Sequence, residues 1–245
     1  MTEPIFFFVL FALVLSAFIK GSLGLGFSTI CLAILANVIE LKTAISIVLL
    51  PSLISNMIVM LEAGNFRLSL KTFSTMLLMT LPGLALGMLL LHQDDNALSI
   101  SILAVVLIVY GCWGWANRQF TIDQKYIPKL NPIIGLLTGC VNGATGSQIF
   151  PIMPYLLSLN ISKNLLVQTI NMSFTMGSLI MLTSLILTNN LQTESVVTYA
   201  LGIIPVSIGV WLGGKVRKKL PEERFKQAVM LLIIFLGILL LFNTS

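Results

Sequence analysis

Charged residues are scarce in this sequence. Only 9% of the 245 residues are charged, whereas 57% belong to the hydrophobic set. A soluble domain has roughly a quarter of its residues charged, so this chain lacks the polar side chains needed to cover a globule in water. The composition predicts an all-α polytopic membrane protein whose main environment is the lipid bilayer, and it leaves no room for a sizeable soluble domain.

Carboxylates are missing from the interior of the apolar runs. All nine Asp and Glu residues fall in polar intervals or at the ends of runs. Transporters of cations and protons keep carboxylates inside the membrane, so this pattern favours an anionic substrate. No run pairs a nucleophile with His or with two carboxylates. We therefore predict a protein that is not an enzyme, without catalytic residues, a metal or a cofactor.

Cysteines are few, and none has a second cysteine nearby. Cys31, Cys112 and Cys140 lie in apolar runs without CxxC spacing, so neither a disulfide framework nor a zinc site is indicated. The fourteen basic residues are scattered through loops instead of alternating with aromatic residues on one face. This scatter argues against nucleic acid as a partner.

Two parts of the chain resemble each other. The segments 21–26 and 143–148 share glycines at the same spacing, and Gly21 and Gly143 are 122 residues apart. A proline followed by two glycines recurs at Pro82 and Pro205, which are 123 residues apart. Transporters are often built from such repeats. We predict repeat 1 at residues 1–117, a cytoplasmic linker at 118–131 and repeat 2 at 132–245, with the N-terminal segment retained as part of repeat 1.

Each repeat is predicted to contain a broken-helix hairpin followed by three transmembrane helices. The hairpin arms are short apolar runs on either side of a glycine break, and several are too short for a hydrocarbon core of about 30 Å at 1.5 Å per residue. The glycine break of at least repeat 2 is therefore expected inside the membrane. The hairpin arms are 4–19 and 27–39, then 132–141 and 149–159; the longer runs are 43–61, 69–91 and 97–116, then 165–187, 196–213 and 225–242.

The basic residues favour one orientation. A hairpin gives each repeat an odd number of crossings, so the repeats have inverted topology. Twelve of the fourteen basic residues then lie on one side of the membrane. Since basic loops face the cytoplasm, we predict cytoplasmic basic loops and both termini outside.

The glycine breaks are the predicted substrate site. Irregular backbone at membrane depth is tolerated where it lines a cavity, and glycines allow both a sharp reversal and close approach of a ligand. A helix that restarts near Ser147 would direct amide hydrogens and a positive dipole end at the break, which suits an anion. The predicted substrate-binding residues are Lys20, Gly21, Gly24, Gly26, Ser28, Asn142, Gly143, Thr145, Gly146, Ser147, Gln148 and Asn171.

Two groups of polar or small residues have a second interpretation. Lys20 either attracts the anion at the first break or extends its ammonium group to the cytoplasmic surface. Small residues in membrane helices commonly serve helix packing. Packing is the favoured role of Ser52, Ser55, Gly83, Gly87, Gly209 and Gly213.

The segment from Gly139 to Leu156 and its glycine-rich counterpart in repeat 1 resemble the duplicated signature of the sulfite exporter TauE/SafE family. This resemblance extends over essentially the whole chain. It implies a transporter in the bacterial inner membrane for sulfite, sulfonates and related small anions. The family's two glycine motifs fall on Gly21, Gly24 and Gly26 and on Gly143 and Gly146, followed by Pro151 and Pro154.

The chain departs from the family pattern at both breaks. Phe27, Ser28 and Thr29 follow Gly26 without a proline, and Ser147 follows Gly146 where a proline is often found. These departures bear on the substrate more than on the fold. The hypothesis is an exporter or facilitator that works by alternating access, with a small anion and the bilayer as partners and a homo-oligomer left open. The alternative is a membrane thiol oxidoreductase that uses Cys31 and Cys140.

Overall fold

The structure is a computed structural model that describes residues 3–23, 26–91, 96–116, 121–187, 203–204, 206–213, 215 and 222–243. The regular structure within these ranges is entirely helical. The helices are α1 (Glu3–Leu23), α2 (Phe27–Leu35), α3 (Leu41–Ala63), α4 (Phe66–Leu91), α5 (Ala97–Ala116), α6 (Ile127–Thr145), α7 (Ile152–Ser158), α8 (Lys163–Leu187), α9 (described over 206–213) and α10 (Glu222–Asn243).

Six of the described helices are long and apolar enough to cross a membrane. They are α1, α3, α4, α5, α8 and α10. Large apolar side chains such as Phe7, Leu89 and Phe235 are exposed on their outer faces, where lipid replaces water as the solvent. The prediction of an all-α, multi-pass membrane protein is therefore confirmed.

The hairpin arms differ in length from the sequence prediction. α2 has nine residues and α7 has seven, and both are short as expected. However, α1 continues past Ile19 through Gly21, and α6 begins at Ile127, within the segment expected to be a linker. Pro128 lies in the first turn of α6, where its fixed φ and missing N–H are tolerated. With 19 residues, α6 is about 28 Å long, so Gly143 lies inside a long helix.

Glycines allow two pairs of helices to pack backbone against backbone. α4 and α6 form the most extensive contact among the described helices. A Cβ atom on Gly83 would collide with the Leu136 carbonyl oxygen, and one on Gly139 would collide with that of Thr80. α1 approaches α9 in the same way, where a Cβ on Gly213 would meet the Phe18 carbonyl. The packing role predicted for Gly83, Gly87, Gly209 and Gly213 is confirmed.

The remaining long helices also pair across the two halves of the chain. α3 packs against α8, and α5 packs against α10. The short helices lie within this arrangement, since every residue of α2 is buried and six of the seven residues of α7 are buried. The two helix breaks, which precede α2 and follow α6, are consequently enclosed by long helices.

Candidate functional site

The first helix break exposes the amino end of α2. Gly26 precedes α2 with a φ of 93°, a left-handed conformation that residues with a Cβ rarely adopt. Its carbonyl accepts the first helical hydrogen bond, from the Ile30 N–H at 3.0 Å, and no side chain caps the helix. The amides of the first turn therefore have no acceptor within the helix, and the positive end of the α2 dipole points into the break. Gly24 lies outside the described residues.

Lys20 is buried beside this break. Its side chain is only 5% exposed. The ammonium Nζ donates to Ser55 Oγ at 2.7 Å and to Asn56 Oδ1 at 2.8 Å, both on α3. Ser55 Oγ donates its own proton to the Ser52 carbonyl at 3.0 Å, which leaves its lone pairs to accept from Lys20. Burial therefore excludes the interpretation in which Lys20 reaches the membrane surface.

No negative charge balances Lys20 among the described residues. The salt bridge found in the described part of the chain joins Lys125 to Asp123, both exposed and in the segment before α6. An ammonium group has three donors, and the bonds to Ser55 and Asn56 use two of them. One N–H of Lys20 therefore has no acceptor among the described residues, and the buried charge has no opposite charge beside it there.

Lys20 and the amino end of α2 line a small void. Its volume is about 10 Å³, close to the space of one water molecule. Four of the predicted site residues, Lys20, Gly26, Ser28 and Asn171, meet at this void. It is lined by Lys20, Gly26, Phe27, Ser28, Asn56, Asn171 and Phe174.

A much larger cavity adjoins the same residues. It has a volume of about 650 Å³, and Lys20, Gly26 and Thr29 line one part of it. Lys163, the first residue of α8, and Glu62, close to the end of α3, also line this cavity. Glu62 lies six residues beyond Asn56 on α3, or about 9 Å along the helix. The cavity therefore leads from the first break to the ends of the surrounding helices.

The second helix break is a tight cap at the carboxyl end of α6. Gly146 has a φ of 71°, and its N–H donates to the Asn142 carbonyl at 2.7 Å. Thr145 Oγ1 donates to the Val141 carbonyl and accepts from the Ser147 N–H at 3.1 Å. The Ser147 amide is therefore occupied.

The chain after Gly146 does not resume a helix at once. α7 begins at Ile152, after a cis peptide bond between Phe150 and Pro151. The sequence prediction of a helix that restarts near Ser147 and Gln148 with free amides is therefore wrong. The short turn is closed by the hydroxyl of Thr145, which the apolar pattern could not reveal.

The two breaks touch each other. Thr29 Oγ1 of α2 and Ser147 Oγ share a hydrogen bond at 3.0 Å, and both residues are buried. A Cβ on Gly26 would lie 3.7 Å from the Ile149 side chain. Sequence reasoning brought the breaks together but missed Thr29, whose hydroxyl interrupts the apolar sequence two residues after the start of α2.

Polar side chains at the second break are held by α8. Gln148 Nε2 donates to Ser178 Oγ at 2.9 Å, and the amide of Asn142 lies against Gly177. The Gln148 Oε1 and Asn142 Oδ1 atoms are buried without a partner among the described residues. α8 therefore supports the second break in the way that α3 holds Lys20 at the first.

Two predicted site residues that belong to the glycine motifs allow close packing between helices. Gly21 is helical in α1, where a Cβ would collide with the Val210 carbonyl of α9. Gly143 is helical in α6, where a Cβ would collide with the Leu84 carbonyl of α4. Neither has the positive φ expected of a reversal, which occurs at Gly26 and Gly146.

Ser55, one of the two partners of Lys20, was assigned to packing by the sequence, as was Ser52. Ser52, Ser55 and Asn56 are spaced at i, i+3 and i+4, so they share one face of α3. Asn56 Nδ2 donates to Ser52 Oγ at 3.2 Å, which fixes the amide oxygen toward Lys20. This polar face on an otherwise apolar helix is the signal in the sequence for a buried polar partner, although the sequence did not show that the partner is Lys20.

The cysteines show no link to one another. Cys31 is buried in α2, Cys112 is exposed on α5 and Cys140 is half-buried on α6, and all three are free thiols. No two of them form a disulfide. The geometry gives no support to the thiol oxidoreductase alternative.

Comparison with known proteins supplies one match. The family described as Sulfite exporter TauE/SafE matches residues 8–240, which is nearly the whole chain. No curated protein and no solved structure matches the chain. The match covers both helix breaks and extends from within α1 to within α10.

Proposed function

This chain belongs to the sulfite exporter TauE/SafE family, and we propose that it carries a small monovalent oxyanion, such as hydrogen sulfite (the singly protonated form of sulfite) or a sulfonate, through a site at the helix breaks. Membership and the six apolar helices make it a multi-pass membrane transporter of the anion type. The observation that carries the site proposal is the buried ammonium of Lys20 at the amino end of α2, without a carboxylate partner in the described part of the chain.

The donors at this place suit an oxyanion. In the proposed site the third N–H of Lys20 and the first-turn amides of α2 bind the anion from the part of the 650 Å³ cavity that Lys20, Gly26 and Thr29 line. Hydrogen bonds to a charged group contribute about 1.5–3 kcal/mol each. One ammonium and a helix dipole of about half a charge match a single negative charge. The substrate is therefore expected to bind as a monoanion.

An inverted repeat is supported by the pattern of helix pairs. If the halves correspond in order, α1 matches α6, α4 matches α9, α3 matches α8 and α5 matches α10. The pairing of α4 with α6 then has its counterpart in the pairing of α9 with α1, and α3–α8 and α5–α10 each join a helix to its own counterpart. A two-fold relation between the halves produces this reciprocity, and it provides two equivalent arrangements for alternating access.

The basic residues at the cavity support an opening toward the cytoplasm. Lys163 and Lys226 line the 650 Å³ cavity, and both belong to the basic segments assigned to the cytoplasmic side. The cavity would then connect the site with the cytoplasm, and both termini would lie outside. A negative cytoplasm expels a monoanion with about 2.3 kcal/mol per 100 mV, so export needs no coupling ion.

The test is flux through the purified chain in proteoliposomes. Uptake of sulfite, methanesulfonate, sulfate and chloride is measured with and without an imposed inside-positive potential, with rubidium as the cation control. The proposal expects saturable uptake of sulfite or methanesulfonate that increases with the potential. Uptake at the rate of protein-free vesicles, or equal uptake of rubidium, contradicts it.

A further inference from the structure

The second helix break contains buried polar atoms that the site at Lys20 does not use. Asn142 lies in the last turn of α6, and Gln148 follows shortly after Gly146, the residue that caps this helix. Each of the two amide side chains is only 2% exposed. Asn142 Oδ1 and Gln148 Oε1 accept no hydrogen bond from the part of the chain that the structure describes. A buried acceptor without a donor is costly, so both atoms need an explanation.

The two amides are neighbours that turn their nitrogen atoms toward α8. Gln148 Nε2 donates to Ser178 Oγ at 2.9 Å. A Cβ atom on Gly177 would collide with Asn142 Nδ2 and would lie 3.4 Å from Gln148 Nε2. The two oxygen atoms therefore point away from α8. The unpaired atoms of this pair are both acceptors.

The carboxyl end of α6 adds further acceptors at the same place. The last carbonyls of a helix have no amide partner within it, and the negative end of the helix dipole, about half a charge, lies there. The Gly146 N–H takes up the Asn142 carbonyl, and the Ser147 N–H is used by the Thr145 hydroxyl. The carbonyls of residues 143–145 therefore remain available to a ligand.

The first break uses corresponding positions with the opposite polarity. Asn142 follows Lys20 by 122 residues, and Ser178 follows Asn56 by the same interval, which is also the interval between the repeated glycines. At the first break an ammonium group donates to Asn56 at 2.8 Å. At the second break a neutral amide with an unpaired oxygen takes the place of the ammonium. Donors at the first break suit an anion, and acceptors at the second suit a cation.

We propose that the second helix break holds a monovalent inorganic cation such as Na⁺, bound by Asn142 Oδ1, Gln148 Oε1 and carbonyl oxygens at the end of α6. Carbonyls at the ends of broken helices coordinate Na⁺ in other transporters. Calcium sites, in contrast, are built on carboxylates, and these ligands are neutral. Neither amide lines the void at Lys20 or the 650 Å³ cavity, so the cation is expected to stay in place while the anion is exchanged. The inference reassigns Asn142 and Gln148 from the anion to the cation.

The cation should be coupled to the anion at Lys20. The two breaks touch where Thr29 Oγ1 and Ser147 Oγ share a hydrogen bond, and like charges repel strongly where water is excluded. The ammonium of Lys20 should therefore weaken cation binding until an anion neutralises it. Because such coupling is reciprocal, the cation should strengthen anion binding by the same factor, about 5- to 150-fold. This part of the inference rests on the proposed anion site.

The experiment compares salts on the purified full-length protein. The dissociation constant of sulfite is measured by calorimetry at equal ionic strength with sodium, potassium or choline as the cation. It should be at least about fivefold lower in sodium or potassium than in choline. Without sulfite, the same inorganic cation should raise the melting temperature of Lys20→Met more than that of the wild type, because the repulsion is gone and ligand binding stabilises the fold.

The outcomes separate this inference from the transport proposal. Equal sulfite affinity and equal melting temperatures in all three salts, as a water molecule bridging the two amides would give, overturn the inference and leave the transport proposal intact. Failure of sulfite to bind in any salt contradicts the transport proposal. A melting temperature of Lys20→Met that rises with sodium or potassium would still support the cation site in that case.

Two variants of Gln148 locate the cation. Gln148→Met removes the amide at similar length and should make the sulfite dissociation constant the same in sodium and choline. Gln148→Glu adds a carboxylate and should be stabilised by sodium more strongly than the wild type. Gln124→Met and Gln124→Glu, the same changes at an exposed position before α6, should keep the salt effects of the wild type. A salt effect that persists in Gln148→Met, or that changes equally at Gln124, places the cation elsewhere and overturns the inference.

Discussion

Replacement of Lys20 by Met should separate binding from folding. The substitution keeps the length and removes a buried ammonium that donates to Ser55 and Asn56. Loss of one charge-assisted hydrogen bond to the anion costs about 1.5–3 kcal/mol, which corresponds to roughly 10- to 150-fold weaker binding. In the variant, the side-chain oxygens of Ser55 and Asn56 lose their donor, which lowers the stability of the fold. The fold also no longer has to bury an unpaired charge, which raises its stability. The free energy of unfolding should therefore change by less than about 2 kcal/mol.

Calorimetry with sulfite measures the first quantity, and thermal unfolding of the anion-free protein in detergent measures the second. Lys129→Met is the matched control, since it removes the same charge from an exposed position and should alter neither quantity. A buried lysine that served only the fold would give the opposite pattern. Wild-type affinity in Lys20→Met, together with a loss of about 3–5 kcal/mol in stability, would refute the reasoning.

Three further outcomes follow from the helix breaks and the packing. Gly146→Ala should lower the melting temperature more than Gly64→Ala does. Both positions have a positive φ, but only at Gly146 does the new Cβ lie 2.8 Å from a side-chain atom. Equal shifts in melting temperature would contradict this expectation. Gly139→Ala should destabilise the protein by about 1–3 kcal/mol, because the new Cβ meets a carbonyl oxygen of α4. This would occur although alanine normally favours a helix more than glycine does. A higher melting temperature would show that α4 and α6 are not in close contact. A variant in which all three cysteines are replaced by alanine should retain wild-type sulfite flux, and loss of flux with the fold intact would revive a thiol-based function.

The sequence was sufficient to predict the membrane environment and the approximate positions of the two helix breaks. The scarcity of charge required burial in lipid, and glycine at 26 and 146 provides the positive φ that each reversal needs. It also placed Lys20 near the first break. These features depend on local composition and backbone conformation, which a single sequence records directly.

The exact ends of the helices and the partners of the buried side chains could not be predicted from the sequence, for a physical reason. Gly143 resembles Gly146 in the sequence, yet one permits close packing against α4 and the other permits a left-handed turn, and the residue type is the same for both uses. The burial of Lys20 depends on Asn56, which lies 36 residues away on another helix. Such contacts are set by tertiary packing.

The most direct test of the central claim is a structure determined with bromomethanesulfonate, whose bromine marks the position of the anion. The account predicts that the sulfonate oxygens lie within hydrogen-bond distance of Lys20 Nζ and the first-turn amides of α2, with the bromine directed into the 650 Å³ cavity. An anion bound only at the exposed basic segments, with the space beside Lys20 occupied by water alone, would contradict it.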